Sequence, residues 1–207
     1  MLLKVNGKDP SPRHIKIIVE TLKEGKIIIY PTDTVYAIGC DMYNNKAIER
    51  LCRVIGKKPE KANLSLICSN LSNISEFTLP FDSRVYKIMR KVLPGSYTFI
   101  LKANNNVPKI FKTNKKTIGI RVPLHSVPEA IVDELGNPIV TASIKDQDKI
   151  IEYMTNPELI YNHFKDKVDL VIDGGYGDNV PSTVIDCTGN DIQIIREGKG
   201  DVDLLVQ

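Results

Sequence analysis

Apolar positions along the chain recur at two spacings, and each spacing names an element. Behind Ser11-Pro12, the residues Ile15, Ile18, Val19 and Leu22 fall at helical intervals, which predicts a capped amphipathic helix stopped at Gly25. Lys26–Tyr30 is a continuous β-branched run and predicts a buried strand. Asn44 or Asn45 then opens a helix through Ala47, Ile48, Leu51 and Val54, interrupted by Gly56-Lys57-Lys58-Pro59. Leu64–Cys68 returns as a strand. Asp82 starts a helix carrying Val85, Ile88, Met89 and Val92 that ends before Pro94-Gly95.

The second half holds more strands than helices. Tyr97–Lys102 and Thr117–Val122 read as strands joined by a long asparagine- and lysine-rich loop, 103–116, expected to reach into solvent. A helix at Ser126–Leu135, a strand at Pro138–Ser143 and a helix from Asn156-Pro157 to about Lys165 follow. Val168–Asp173, Ser182–Asp186 and Ile192–Arg196 are the closing strands. Early alternation and late clustering of strands predict a single α/β domain over 1–207, core about 11–200. The expected fold is a twisted mixed sheet with flanking helices.

Bulk properties narrow the function classes. At 207 residues with 42% hydrophobic and 26% charged positions, the chain can bury a sizeable core. A net charge of +3 is too small to argue a nucleic-acid partner unless the basic residues cluster. Met1–Lys4 lacks a signal-peptide pattern, and no apolar run approaches membrane-spanning length. Cys40, Cys52, Cys68 and Cys187 form no CxxC pair, and the histidines are scattered. This suits reduced thiols in a cytoplasm and argues against a zinc site.

Polar groups gather where strands end. Thr32, Asp33, Thr34 and Tyr36 follow the Lys26–Tyr30 strand, and Arg121 ends the "TIGIRVP" strand. Ser143 closes "IVTAS", Ser182 and Thr183 open "PSTVID", and Arg196 closes "IIREG". Loops at one sheet edge converge on a rigid support, so a ligand site is expected there. Hydroxyls orient an amino acid or ribose, and arginines suit carboxylate or phosphate. Each residue also has a plainer reading. Thr32–Thr34 is good turn chemistry after Pro31, Arg121 could serve a salt bridge, and Lys57-Lys58 suits a solvated turn. No Ser/His/Asp set, paired metal carboxylates, GxxxxGK[ST] loop or GxGxxG is visible.

In this order, "YPTDTVYAIGC", "PGSYTFIL", "TIGIRVP", "PSTVID" and "IIREG" resemble the YrdC-like domain family, with details most similar to its YciO branch. The resemblance runs from about residue 11 to residue 200. It implies a concave ligand-binding face and an L-threonylcarbamoyladenylate synthase. Such an enzyme joins L-threonine, bicarbonate and ATP, the last with Mg²⁺, into threonylcarbamoyl-AMP and pyrophosphate. Transferase proteins of the same pathway then modify adenosine 37 of tRNA. By resemblance, Thr34, Arg121, Ser182 and Thr183 lie on the threonine side, with Arg121 on the carboxylate. Lys58, Thr117, Ser143 and Arg196 face the nucleotide. No protein nucleophile is needed, because positioning and neutralisation of phosphate charge supply most of the rate.

The motif match is incomplete on one side. The family's K-x-R-P reads Gly56-Lys57-Lys58-Pro59, its N-P-L reads Ala62-Asn63-Leu64, and a histidine just beyond reads Ile67. After Ser143 the S-A-N signature is replaced by Ile144-Lys145. Lysine lacks the two-pronged geometry of arginine, so weaker phosphate clamping is expected. Two principal functions stay open in the sequence: a slow synthase, and a non-catalytic relative binding nucleotide or double-stranded RNA. A different nucleotide-dependent carbamoyl-type reaction on the same scaffold is a third.

Overall fold

The computed structural model describes residues 1–109, 116–144 and 155–205. The chain opens with β1 (Leu2–Lys4), α1 (Pro12–Lys23), β2 (Ile28–Tyr30), β3 (Ala37–Asp41) and α2 (Asn45–Val54). Then come β4 (Ser65–Ile67), α3 (Ser83–Val92), β5 (Tyr97–Lys102), β6 (Thr117–Arg121), α4 (Ser126–Leu135) and β7 (Ile139–Ser143). The chain continues through α5 (Pro157–Phe164), β8 (Leu170–Asp173), β9 (Thr183–Asp186) and β10 (Gln193–Arg196).

Local chemistry sets the helix ends. The Ser11 hydroxyl accepts the His14 amide with Pro12 in the first turn, and Gly25 turns the chain away at φ 77°. Between the two candidate asparagines, Asn44 is the cap of α2, accepting from the Ala47 amide. Gly56, at φ 68°, takes the left-handed conformation just past α2. Asp82 and Asn156 cap α3 and α5. His125 caps α4, its Nδ1 accepting the Val127 amide proton.

Ten strands join in one mixed sheet of order β1-β8-β2-β3-β7-β4-β6-β5-β9-β10. Two were not anticipated from the sequence. β1 is an edge strand of three residues, too short for a periodicity signal, paired in parallel with β8. β3 lies in what reads as the tail of the hydroxyl loop, because Gly39 interrupts its apolar run. The glycine is required there: a Cβ would meet the Tyr30 ring, Ile139 and the Val140 carbonyl. The described start of the 103–116 loop is also not solvated throughout. Asn104 bonds the carbonyls of Glu76 and Thr78, and Val107 is buried. Residues 110–115 of that loop, and Lys145, lie outside the described residues.

The two faces of the sheet are covered differently, and this creates the site. Ile29, Ile38, Leu66, Phe99, Ile118, Val140 and Ile185 point to one face. They pack under Ile48 and Leu51 of α2, Met89 of α3 and Ile160 of α5. On the other face, Ile28, Tyr30, Ile67, Ile139, Leu170 and Ile172 pack under Ile18 and Leu22 of α1 and Ile131 of α4. That second core lies on the β1-to-β7 side of its face and reaches β4 at Ile67. The remainder, from β7 to β10, carries hydroxyls and arginines around a cleft. Three buried thiols, Cys40, Cys52 and Cys68, serve as packing, and burial pushes the Cys68 thiol up to about 12. No helix among the described residues is long and apolar enough to cross a membrane.

Candidate functional site

Period-two alternation builds the cleft. Thr98 and Ile100 of β5, Thr117, Gly119 and Arg121 of β6, and Thr141 and Ser143 of β7 are each spaced by two residues, so they share a face. Register brings them side by side: Gly119 lies between Ile100 and Ser65, and Ser65 lies beside Thr141. Ser182 and Arg196 close one side, and Asn63 and Leu64 the other, around a volume of about 500 Å³. The size suits a small ligand. Gly119 keeps the floor open, since a Cβ there would collide with Ser65 Oγ. The sequence suggests a site at strand ends; the structure extends it across the face of the sheet, onto mid-strand residues.

Arg121 is the most constrained charge in the molecule's described part. Its Nη2 donates to Asp33 Oδ1 at 3.0 Å and to Thr34 Oγ1 at 3.0 Å. The ion pair with Asp33 is almost fully enclosed, with 5% and 9% of the two side chains exposed. Arg121 Nε is buried without a hydrogen-bond partner, although the side chain lines the cleft. Burial pulls the guanidinium below its ordinary value and Asp33 opposes the shift, yet an arginine stays charged. The charge is thus held from behind, with one N–H still to satisfy.

A second guanidinium shares the cleft. Arg196 donates from Nε and Nη2 to the Ser182 carbonyl at 3.1 and 2.7 Å, and Ser182 Oγ lies 2.8 Å from Thr98 Oγ1. Burial lowers the Arg196 pKa, and the positive Arg121 lowers it further. Among the described residues the charged side chains lining the cleft are these two arginines, an arrangement that favours an anion.

Asp33, not assigned a role from the sequence, is the hub behind them. Ser96 Oγ donates to Asp33 Oδ2 at 3.0 Å, while Arg121 takes Oδ1. Thr32 Oγ1 donates to the Val35 carbonyl and accepts the Thr34 amide, so the turn reading of this loop is also correct. Tyr36 ties the loop to the exit of β8, its hydroxyl donating to the Gly175 carbonyl at 2.7 Å.

Of the residues singled out in the sequence, Arg121, Ser182, Thr117, Ser143 and Arg196 line one cleft. Thr34 is fully buried behind Arg121 and not on the lining, because its hydroxyl is committed to the guanidinium and to Thr32. Thr183 points away: its Oγ1 donates to the Gly200 carbonyl at 2.6 Å and accepts the Gly198 amide. Successive strand residues face opposite sides, so Ser182 and Thr183 cannot both face the cleft. Lys58 is exposed in a solvated turn outside the lining. Thr98, Thr141 and Ser65 line the cleft without having been singled out, and Asn63, marked in the sequence only as a motif departure, joins them. The signal for the strand residues was the polar i, i+2 pattern within otherwise apolar strands.

The sequence model of the Sua5/yciO/yrdC family, described as telomere recombination, matches residues 20–198. Protein YciO of Escherichia coli strain K12 is 38% identical over 200 residues, covering 96% of this chain and 95% of YciO. The crystal structure of Escherichia coli YciO superposes with a TM-score of 0.93 over 100% of this chain and 99% of that one, at 35% identity. A threonylcarbamoyl-AMP synthase of Coxiella burnetii is 26% identical over 82% of this chain and 89% of its own length. The P. abyssi Sua5 structure complexed with L-threonine has the same fold, with a TM-score of 0.87 at 23% identity. It covers 96% of this chain and 57% of Sua5. The chain belongs to the Sua5/YciO/YrdC family and is more similar to YciO than to the threonylcarbamoyl-AMP synthase.

Proposed function

We propose that the cleft binds L-threonine and ATP and performs threonylcarbamoyl-AMP synthesis, at a rate limited by weak phosphate clamping. The observation that carries this reading is Arg121, a buried charge aimed into a cleft with Nε unpaired and a second arginine alongside. A carboxylate meeting the remaining N–H groups of Arg121 satisfies the orphan atom by charge-assisted bonds. The threonylcarbamoyl-AMP synthase relative and the L-threonine complex of Sua5 support the same choice of substrate.

The chemistry needs no protein nucleophile. The threonine ammonium first loses a proton to solvent. Its nitrogen then attacks bicarbonate carbon, and water leaves to give a carbamate. A carbamate oxygen attacks the α-phosphorus of ATP, and the bond to pyrophosphate breaks. Arg121 holds the carboxylate, while Arg196, Thr117 and Ser143 face the nucleotide, which arrives with Mg²⁺. Thr34 acts on threonine through Arg121 and not by direct contact. Lys58 reaches the triphosphate only by folding inward from solvent, which accounts for the slow rate proposed. The product would pass to tRNA-modifying transferases.

Threonine-dependent pyrophosphate release, followed with labelled threonine, ATP and saturating bicarbonate, tests the reading. Release that requires both threonine and bicarbonate is the expected result. Binding of threonine and ATP with no release would replace the synthase by the non-catalytic relative.

A further inference from the structure

The strand-terminal segment Glu197–Asp201 is fixed more firmly than an exposed chain end needs. Gly198 N donates to Thr183 Oγ1, Lys199 N to the Pro181 carbonyl at 2.8 Å, and Thr183 Oγ1 to the Gly200 carbonyl. Tyr97 adds a bond to the Asp201 carbonyl. Glycines flank Lys199 because the backbone is pressed close on both sides. A Cβ at 198 would collide with the Pro181 carbonyl, and one at 200 with the Tyr97 ring. Lys199 therefore projects from a rigid strap.

Its ammonium closes a ring around the hydroxyl loop. Lys199 Nζ donates to the Asp33 carbonyl at 2.7 Å and pairs with Asp178 at 2.8 Å. The Asp178 amide donates to the Thr34 carbonyl at 3.1 Å. The Lys199 hydrogen bond pulls the Asp178 carboxyl below the usual carboxylate range. Two consecutive carbonyls, those of Asp33 and Thr34, are thus held from outside by partners that are also paired with each other. The side chains of those same two residues receive both bonds from Arg121 Nη2.

We propose that Lys199 and Asp178 form an external clamp that positions Asp33 and Thr34, and through them the Arg121 guanidinium, for the substrate carboxylate. Lys199 is a positioning residue: it does not line the cleft, and 44% of its side chain is exposed. A half-exposed ion pair adds little stability, so the clamp's effect lies in geometry rather than in folding energy. A misplacement of about 1 Å caused by a change away from the reacting groups can cost on the order of 100-fold in rate, so a shifted guanidinium is expected to weaken its ligand too.

The substrate assignment rests on the function proposed above, so the test has two readouts. Titration calorimetry compares L-threonine and ATP binding in the full-length parent, Lys199→Met, Lys199→Arg and Asp178→Asn. The expected result for Lys199→Met is about ten-fold weaker threonine binding, with ATP changed less than about two-fold and the melting temperature nearly unchanged. Lys199→Arg should recover most of the loss, since arginine restores a cation at the same place. Equal losses for threonine and ATP, or unchanged threonine affinity, would overturn the clamp. If the parent binds no L-threonine, the reading of the cleft fails by itself. Amide exchange at residues 33–36 then decides for the clamp without any ligand. Faster exchange in Lys199→Met supports the clamp, and identical exchange overturns it.

Discussion

Replacing Arg121 by lysine separates charge from shape at a buried cation of the cleft. The native guanidinium uses Nη2 for Asp33 Oδ1 and Thr34 Oγ1, both at 3.0 Å, and its buried Nε has no partner. Lysine keeps the pair with Asp33, so no buried carboxylate is stranded and the 3–5 kcal/mol scale of a broken buried pair does not apply. Its single nitrogen cannot serve Asp33, Thr34 and a carboxylate in fixed directions at once. The cost to the fold is roughly 1 kcal/mol, the net value of one hydrogen bond. The cost to the ligand is larger, because one of two charge-assisted bonds disappears, roughly 1.5–3 kcal/mol. Threonine should therefore bind about 10- to 150-fold more weakly.

Calorimetric titration of L-threonine into both proteins checks this, with a thermal melt beside it to show that the variant is folded. ATP serves as the internal control, since the proposal gives the nucleotide to Arg196, Thr117 and Ser143. A folded Arg121→Lys protein with parental threonine affinity would refute the assignment. A fall confined to ATP would transfer Arg121 to the phosphate.

Two further outcomes concern the frame of the site. Thr183→Val should lower the unfolding free energy by roughly 2 kcal/mol in urea denaturation, because the Gly200 carbonyl and Gly198 amide both lose their partner; a change under about 0.5 kcal/mol would remove Thr183 from its latch role. His125 should make stability fall on acidification. Burial holds its pKa below the ordinary 6.5 against the opposing pull of Asp33, and neutral Nδ1 accepts the Val127 amide. The unfolded chain thus takes up the proton first, so stability present above about pH 6.5 is lost as pH falls toward the folded pKa. His125→Asn, which keeps a capping oxygen, should flatten the curve of urea-derived stability between about pH 7 and pH 5. Parallel curves for the two proteins would refute the role of His125.

What the sequence discloses about this fold divides by the distance over which each signal acts. Capped helices are legible because Ser11, Asn44, Asp82 and Asn156 act within three residues of themselves. The longer strands are legible from β-branched runs. β3 is not, since Gly39 makes sense only once Tyr30 and Ile139 are known to press against it. The site shows the same division. Arg121, Ser143, Ser182 and Arg196 stand out beside recognisable motifs. Asp33 stands out as a hub only when Ser96 and Arg121, distant in sequence, arrive at its two oxygens. Thr183 reads like Ser182 until the strand's alternation turns one into the cleft and the other onto Gly200. Local chemistry predicts elements; long-range register decides which polar residue is a wall and which is a strut.

That division also explains why the altered lysine motif coexists with an ordered Arg121 side of the cleft. Gly56 occupies the left-handed conformation that ends α2, so its place in the motif is set by the helix stop. The following lysines then fall in a solvated turn, where charge is screened. Arg121, by contrast, is enclosed by the sheet, fixed by Asp33 and Thr34, and backed by the Lys199–Asp178 ring. Screening weakens exposed charges far more than enclosed ones. The cleft is therefore preorganised at the arginine that would hold a carboxylate and loosely provided where a triphosphate must extend toward solvent. A triphosphate carries more negative charge than two guanidiniums offset, and one of those is already matched by Asp33. On this argument the fold places its rigidity around Arg121, where the proposed amino acid would bind. If the proposed synthase activity holds, cations brought to the open rim should raise it.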